Sequence, residues 1–146
     1  MTYLRFILLS LCLAICYYAL AISTIGIATG NQAWWEQWQD DGAFYHIAQN
    51  VIGVAVAAFV PAFLVNSYEK SKKWLSISII IAFSMVLHGN VNYPPWELEG
   101  LIRFFNESVL NGDAVSQGIF AAILLMPLVW LTILKRFEQT EHNIFS

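Results

Sequence analysis

The sequence predicts an all-α membrane protein, a bundle of four transmembrane helices with a short amphipathic helix on its outer side between the third and fourth. Three observations predict it. Hydrophobic residues make up 58% of the 146-residue chain and charged residues only 12%, against roughly 25% charged in an ordinary soluble domain. A soluble domain this small has too much surface for its volume to hide that much apolar area. The apolar residues also fall into long uncharged runs, and the lysines and arginines fall between those runs in a one-sided pattern.

The first run, 6–28, carries no charge and is long enough for a hydrocarbon core of roughly 30 Å at about 1.5 Å per residue. The second reads as 44–65, with Gln49 and Asn50 near its outer end and Pro61 tolerable as a membrane-helix kink. The third, 74–90, is short and is completed by Asn90 at one end and by snorkelling Lys72 and Lys73 at the other. The fourth, 114–134, carries Pro127. All four belong to one integral membrane domain, 1–146. Cleavage as a secretory signal after Ala19-Leu-Ala21 is the competing reading of the first run. The apolar stretch continues to Ala28, beyond a typical signal core of about 7–15 residues, so an uncleaved anchor is expected.

Orientation follows from the bias of lysine and arginine toward cytoplasmic loops. Arg5, Lys70, Lys72, Lys73, Lys135 and Arg136 all fall on one side of such a bundle, and the other side holds only Arg103 among seven acidic residues. Both chain ends are therefore expected in the cytoplasm, with a bacterial inner membrane as the expected location. The net charge of −3 and the absence of a basic patch give no reason to expect nucleic-acid binding.

The two outward segments hold the distinctive residues. Trp34, Trp35 and Trp38 share a helical face; they suit an aromatic belt at headgroup depth and also a docking patch for a partner. After Tyr93-Pro-Pro-Trp96, Pro95 and the acidic Glu97 and Glu99 signal a helix start. Leu98, Leu101, Ile102, Phe105 and Val109 then recur at helical spacing, with Glu99, Arg103 and Glu107 on another face. An amphipathic helix lying on the outer surface is expected, ended by Asn111-Gly112-Asp113. Its apolar face, with Trp96, and the tryptophan segment form the expected interaction surface.

Chemistry-bearing residues inside the spans are few. His46 and His88 lie at the outer ends of the second and third spans, where facing imidazoles could hold a haem, and His46 with Asp40 or Asp41 could hold a metal. The spacing matches no haem-attachment or zinc motif, and no cofactor is expected. Cys12 and Cys16, four residues apart, are expected as small packing residues, and the hydroxyls of Tyr17 and Tyr18 as bonds to neighbouring helices. No Asp, Glu, Lys or Arg lies within a span, which disfavours an ion-coupled carrier. Asn50 and Asn90, with Gln49 and Ser84, could line a polar path for a neutral solute in an oligomer. No phosphate loop, nucleophile elbow or zinc-protease motif occurs.

The expected function is therefore that of a small non-catalytic membrane protein working through protein–protein contacts. Its partner would be a membrane or secreted protein, or further copies of itself, within the lipid bilayer. In length and layout the chain resembles the small membrane immunity proteins that protect a cell from its own pore-forming toxins. The resemblance rests on no motif, and it implies an accessory or protective role. Two alternatives make separate predictions. A redox or metal role for His46 and His88 predicts a coloured or metal-loaded purified protein, and a colourless, metal-free preparation that keeps its activity excludes it. A solute path predicts transport in reconstituted vesicles that Asn50→Leu abolishes.

Overall fold

The chain was analysed as a computed structural model that describes residues 3–31, 42–92 and 98–144. Every element among the described residues is helical. Helix α1 spans Tyr3–Gly30, α2 Gly42–Tyr68, α3 Lys73–Asn92, α4 Leu98–Phe105 and α5 Ala114–Ile144; a π-helical turn, Asn106–Leu110, continues α4. The expected spans fall inside α1, α2, α3 and α5, and each helix runs a few residues further than its apolar segment. The ends differ because polar residues extend helices by hydrogen bonding where hydropathy has already fallen. Three of the helices, α1, α2 and α5, are long and apolar enough to cross a membrane, and the apolar part of α3, Lys73–Gly89, is shorter.

Helix α1 packs against both α2 and α3, and α5 packs mainly along α2. Along α1 the inward residues Ser10, Ala14, Tyr17, Ala21 and Ala28 are all fully buried, at spacings of three, four and seven. That is the seam of a left-handed helix pair. Four of the five are small, which brings backbones close where lipid supplies no hydrophobic drive to associate. Val54, Ala57, Ala58 and Ala62 of α2 belong to the same buried cluster. Gly53 completes this contact, because a Cβ there would lie 2.8 Å from Cβ of Thr24.

Polar groups inside the bundle are spent on joining helices. Pro127 lacks an N–H and so leaves the carbonyl of Ile123, one turn earlier, without its helical donor. The Tyr17 hydroxyl donates to that carbonyl at 2.9 Å, which bears out the expected bond to a neighbouring helix. Trp130 Nε1 donates to the Ala55 carbonyl at 2.7 Å, tying α5 to α2. The Ser10 and Ser76 hydroxyls share a buried bond of 2.9 Å, tying α1 to α3. Cys12 and Cys16, in contrast, are exposed. The expectation that they pack inside is corrected: the seam runs through residues 14, 17 and 21, and this register turns both thiols outward. Ile15, Ile52, Val56 and Leu125 are exposed too, so the bundle is apolar on its outside as well as its inside, as a lipid-facing surface requires.

The two ends of the bundle are built differently. At one end Lys73 Nζ donates to Asn66 Oδ1 at 2.8 Å and to Glu138 Oε2 at 3.0 Å, while Asn66 Nδ2 donates to Glu138 Oε1 at 2.6 Å. This triad joins α2, α3 and α5. Lys72 Nζ sits 4.0 Å over the Tyr3 ring and Lys135 Nζ 5.3 Å over the Trp74 ring. Lys72, in the turn after α2, thus meets the start of α1, and Lys135 of α5 meets the start of α3, at one basic end.

At the opposite end α4 lies against α3, and its contact depends on Gly89, where a Cβ would stand 3.0 Å from the Leu101 Cα. The buried face of α4 is Gly100, half-buried Leu101 and Phe104, while Ile102 and Phe105 are exposed. The expected apolar face grouped Leu101 with Ile102 and Phe105; docking on α3 rotates the helix so that Phe104 points inward instead. On the charged face Glu99 and Arg103 form an i, i+4 ion pair at 3.4 Å. Asp113 Oδ1 accepts from the Ser116 N–H at 2.8 Å and caps α5, and the Gln117 side-chain amide donates to the carbonyls of Val109 and Gly112, both at 3.1 Å.

A side chain at position 89 would push α4 off α3. Gly89→Leu is expected to destabilise the protein by about 1–3 kcal/mol, the usual cost of overpacking, and to expose the Leu101–Phe104 segment to protease before the bundle itself unfolds. Unaltered thermal stability and protease resistance would show that α4 does not depend on this contact.

Candidate functional site

Sequence reasoning placed its candidates in four groups, and the structure treats them differently. Trp34, Trp35, Trp38, Asp40, Asp41 and Trp96 lie outside the described residues; His46, Asn90 and Leu98 are placed on helices, with side chains outside the description. Leu101 packs on α3 and Phe105 stays exposed at the edge of α4. Asn50 is fully buried on α2 and lines neither of the cavities at the two ends of the bundle. Among the described residues, no three His, Cys, Asp or Glu side chains gather as metal ligands.

His88 is the residue around which the α4 end is arranged. It sits on the inner face of α3, one turn after Ser84, and only 2% of its surface is exposed. The Tyr18 ring meets the imidazole edge-on, with centroids 4.7 Å apart, and the Phe104 ring lies parallel to it at 5.9 Å. Among the described residues its Nε2 has no hydrogen-bond partner, and neither has the hydroxyl of Ser84. A buried polar atom left so is costly in an apolar setting.

His88 also lines a cavity of about 300 Å³. Ile22 and Ile25 of α1 form one wall, Phe104 and Ser108 close it from the α4 side, and Ser116 and Ile119 belong to α5. Its walls also include Ile123, whose carbonyl holds the Tyr17 hydroxyl. Phe120 completes the aromatic side, 5.7 Å from Phe104 between centroids. The cavity exists because α5 leans toward α2 and touches α3 only lightly, leaving a gap that α4 covers without filling. Sequence reasoning singled out His88 but missed Phe104 and the serines. The Phe104-Phe105 pair at the centre of an amphipathic run was the available signal, but which ring turns inward depends on docking.

At the opposite end a second cavity, of about 260 Å³, lies between the start of α1 and the α2–α3 turn and is lined by Tyr3, Phe6, Glu69 and Lys72 among others. Glu69 accepts long hydrogen bonds from the backbone N–H groups of Ser71 and Lys72, at 3.5 and 3.4 Å, so its carboxylate shapes the turn.

Apolar helices long enough to cross a bilayer, with apolar exteriors and interhelical polar bonds, define an integral membrane protein of the helical class. No family model, no curated protein and no solved structure matches the chain.

Proposed function

We propose that the protein is a non-catalytic polytopic membrane protein with four bilayer-crossing helices that acts through protein–protein contacts made at its α4 end. Support for a fourth crossing comes from α3. Its 20 residues reach about 30 Å at 1.5 Å per residue. It also begins in the Lys73–Asn66–Glu138 triad at the basic end and reaches the α4 contact at Gly89. It therefore reaches from the basic end to the α4 end, although it is shorter than its neighbours. Lys72 over Tyr3 of α1, Lys135 over Trp74 of α3, and Lys73 in the triad, with Lys70 and Arg136 near them in sequence, support a cytoplasmic basic end, in a bacterial inner membrane. The α4 end then faces outward.

The observation that carries the contact reading is how α4 is held. Gly89 and Phe104 fix its inner side to the bundle, while Ile102, Phe105 and Leu110 stay exposed beside the Glu99–Arg103 pair. A rigid ridge that mixes apolar side chains with a charged rim suits a partner surface. The interior polar bonds described above serve helix packing, which fits a scaffold with an outer contact face. An accessory subunit of a membrane complex and an immunity-type protective protein both belong to this class.

The test is mass spectrometry of what co-purifies from native membranes in mild detergent at native expression. A stoichiometric membrane or secreted partner is expected. Ile102→Asp with Phe105→Asp is expected to reduce its recovery at least about tenfold, as is alanine replacement of Trp34, Trp35 and Trp38 if that segment shares the surface. Recovery of the chain alone, or full partner retention by both variants, would overturn the contact reading.

A further inference from the structure

The cavity beside His88 has features that helix packing does not need. It is lined by His88, whose buried Nε2 has no partner among the described residues, and its other walls are apolar and aromatic except for Ser108 and Ser116. In hydrocarbon such a group is normally paired with a neighbouring helix, as Tyr17, Ser10 and Trp130 all are. Here the imidazole lies edge to Tyr18 and face to Phe104, with Nε2 enclosed and unpaired among the described residues, so a small turn of the ring is what brings Nε2 to the cavity that His88 lines.

We propose that this cavity is a binding site for a membrane-borne ring compound bearing a hydrogen-bonding oxygen, the chemical class of quinone and phenol head groups, with His88 Nε2 as its polar anchor. The volume of about 300 Å³ lies at the small end of ligand pockets and suits a single substituted ring. Phe104 and Phe120 offer flat apolar surfaces for stacking. The imidazole reads either form of such a ring: as one tautomer Nε2–H donates to a carbonyl, and as the other its lone pair accepts from a hydroxyl.

Access and orientation fit the same class. Ile22, on the rim, is exposed on the lipid side of α1, so a ring dissolved in the bilayer can approach laterally. Phe104 and Phe120 also form walls of an adjoining groove of about 340 Å³ that has no polar surface and includes Met85 and Ile102, a place for an alkyl or isoprenoid substituent. The ring pocket itself lies on the inner side of α4, while the groove for a substituent shares Ile102 and Phe105 with the contact ridge proposed above; a ring without a long substituent therefore tests the pocket apart from the ridge.

The test uses the full chain in mild detergent, labelled with ¹⁵N-histidine, and a matched pair of probes. Duroquinone (tetramethyl-1,4-benzoquinone) and durene (tetramethylbenzene) share ring and methyl groups and differ in the two oxygens. Duroquinone is expected to move the His88 Nε2 resonance saturably and to bind about tenfold or more tighter than durene, the scale of one hydrogen bond to a buried unpaired group. Ile119→Trp, which fills the cavity and leaves His88 in place, is expected to abolish that shift while the resonance itself persists. His88→Phe is expected to weaken duroquinone binding by the same factor as the loss of the oxygens. Three results would overturn the proposal: a His88 resonance unmoved at saturating duroquinone, equal affinity for the two probes, or an undiminished shift in Ile119→Trp.

Discussion

The hydroxyl of Tyr17 on the carbonyl of Ile123 connects the two helices that otherwise touch least, α1 and α5. Pro127 makes the bond necessary, because it removes the N–H that would have closed the helical ladder onto that carbonyl. Water cannot substitute inside hydrocarbon, so another helix must supply the donor. Tyr17 can reach across only because its neighbours on the seam, Ala14 and Ala21, are small and fully buried. The same constraint recurs at lower stakes in the Trp130–Ala55 and Ser10–Ser76 bonds. Each such bond in a membrane is worth about 0.6 kcal/mol, rarely beyond 1.7, so their role is to select one arrangement of helices that are apolar on all sides.

From this centre the bundle diverges toward unlike ends. At the basic end a charged triad holds α2, α3 and α5 together, with Lys73 largely enclosed and Glu138 half-exposed. Long side chains converge there because each can keep its charge near water while its stem lies along the helices. At the other end no such triad among the described residues draws α3 and α5 together; a short helix is laid over the gap and secured by backbone approach at Gly89. A cover placed on a gap leaves space, and the cavity around His88 is that space. The proposed contact ridge and the proposed ring site are thus the two sides of a single short helix.

Much of this was legible in the residue order. Uncharged runs and their lengths marked the helices, since a bilayer tolerates few other ways of satisfying a backbone. One-sided placement of six lysines and arginines anticipated the basic end, and Tyr17 and Tyr18 were both legible as hydroxyls at membrane depth suited to bond neighbouring helices, as Tyr17 does. The cysteines show the limit. Cys12 and Cys16 share a helix face, but nothing in a helix that is apolar all round says which face turns inward. That choice depends on where Ala14, Tyr17 and Ala21 meet small residues on α2. Phe104 illustrates the same limit on α4, where adjacent phenylalanines are indistinguishable until Gly89 sets the docking angle.

By itself, then, the sequence determined that the chain is helical and membrane-embedded, where its helices run, and which ends carry its basic residues. Hydropathy and charge are properties of single residues summed along the chain, and they need no knowledge of neighbours in space. Only the tertiary structure decided that Pro127 and Tyr17 form one unit, that the cysteines face outward, and that His88 stands beside a cavity under α4. Those features arise from pairings that range from Gly89 with Leu101 to Tyr17 with Ile123, the latter 106 positions apart. Their outcome turns on the packing of small side chains, which no local pattern encodes.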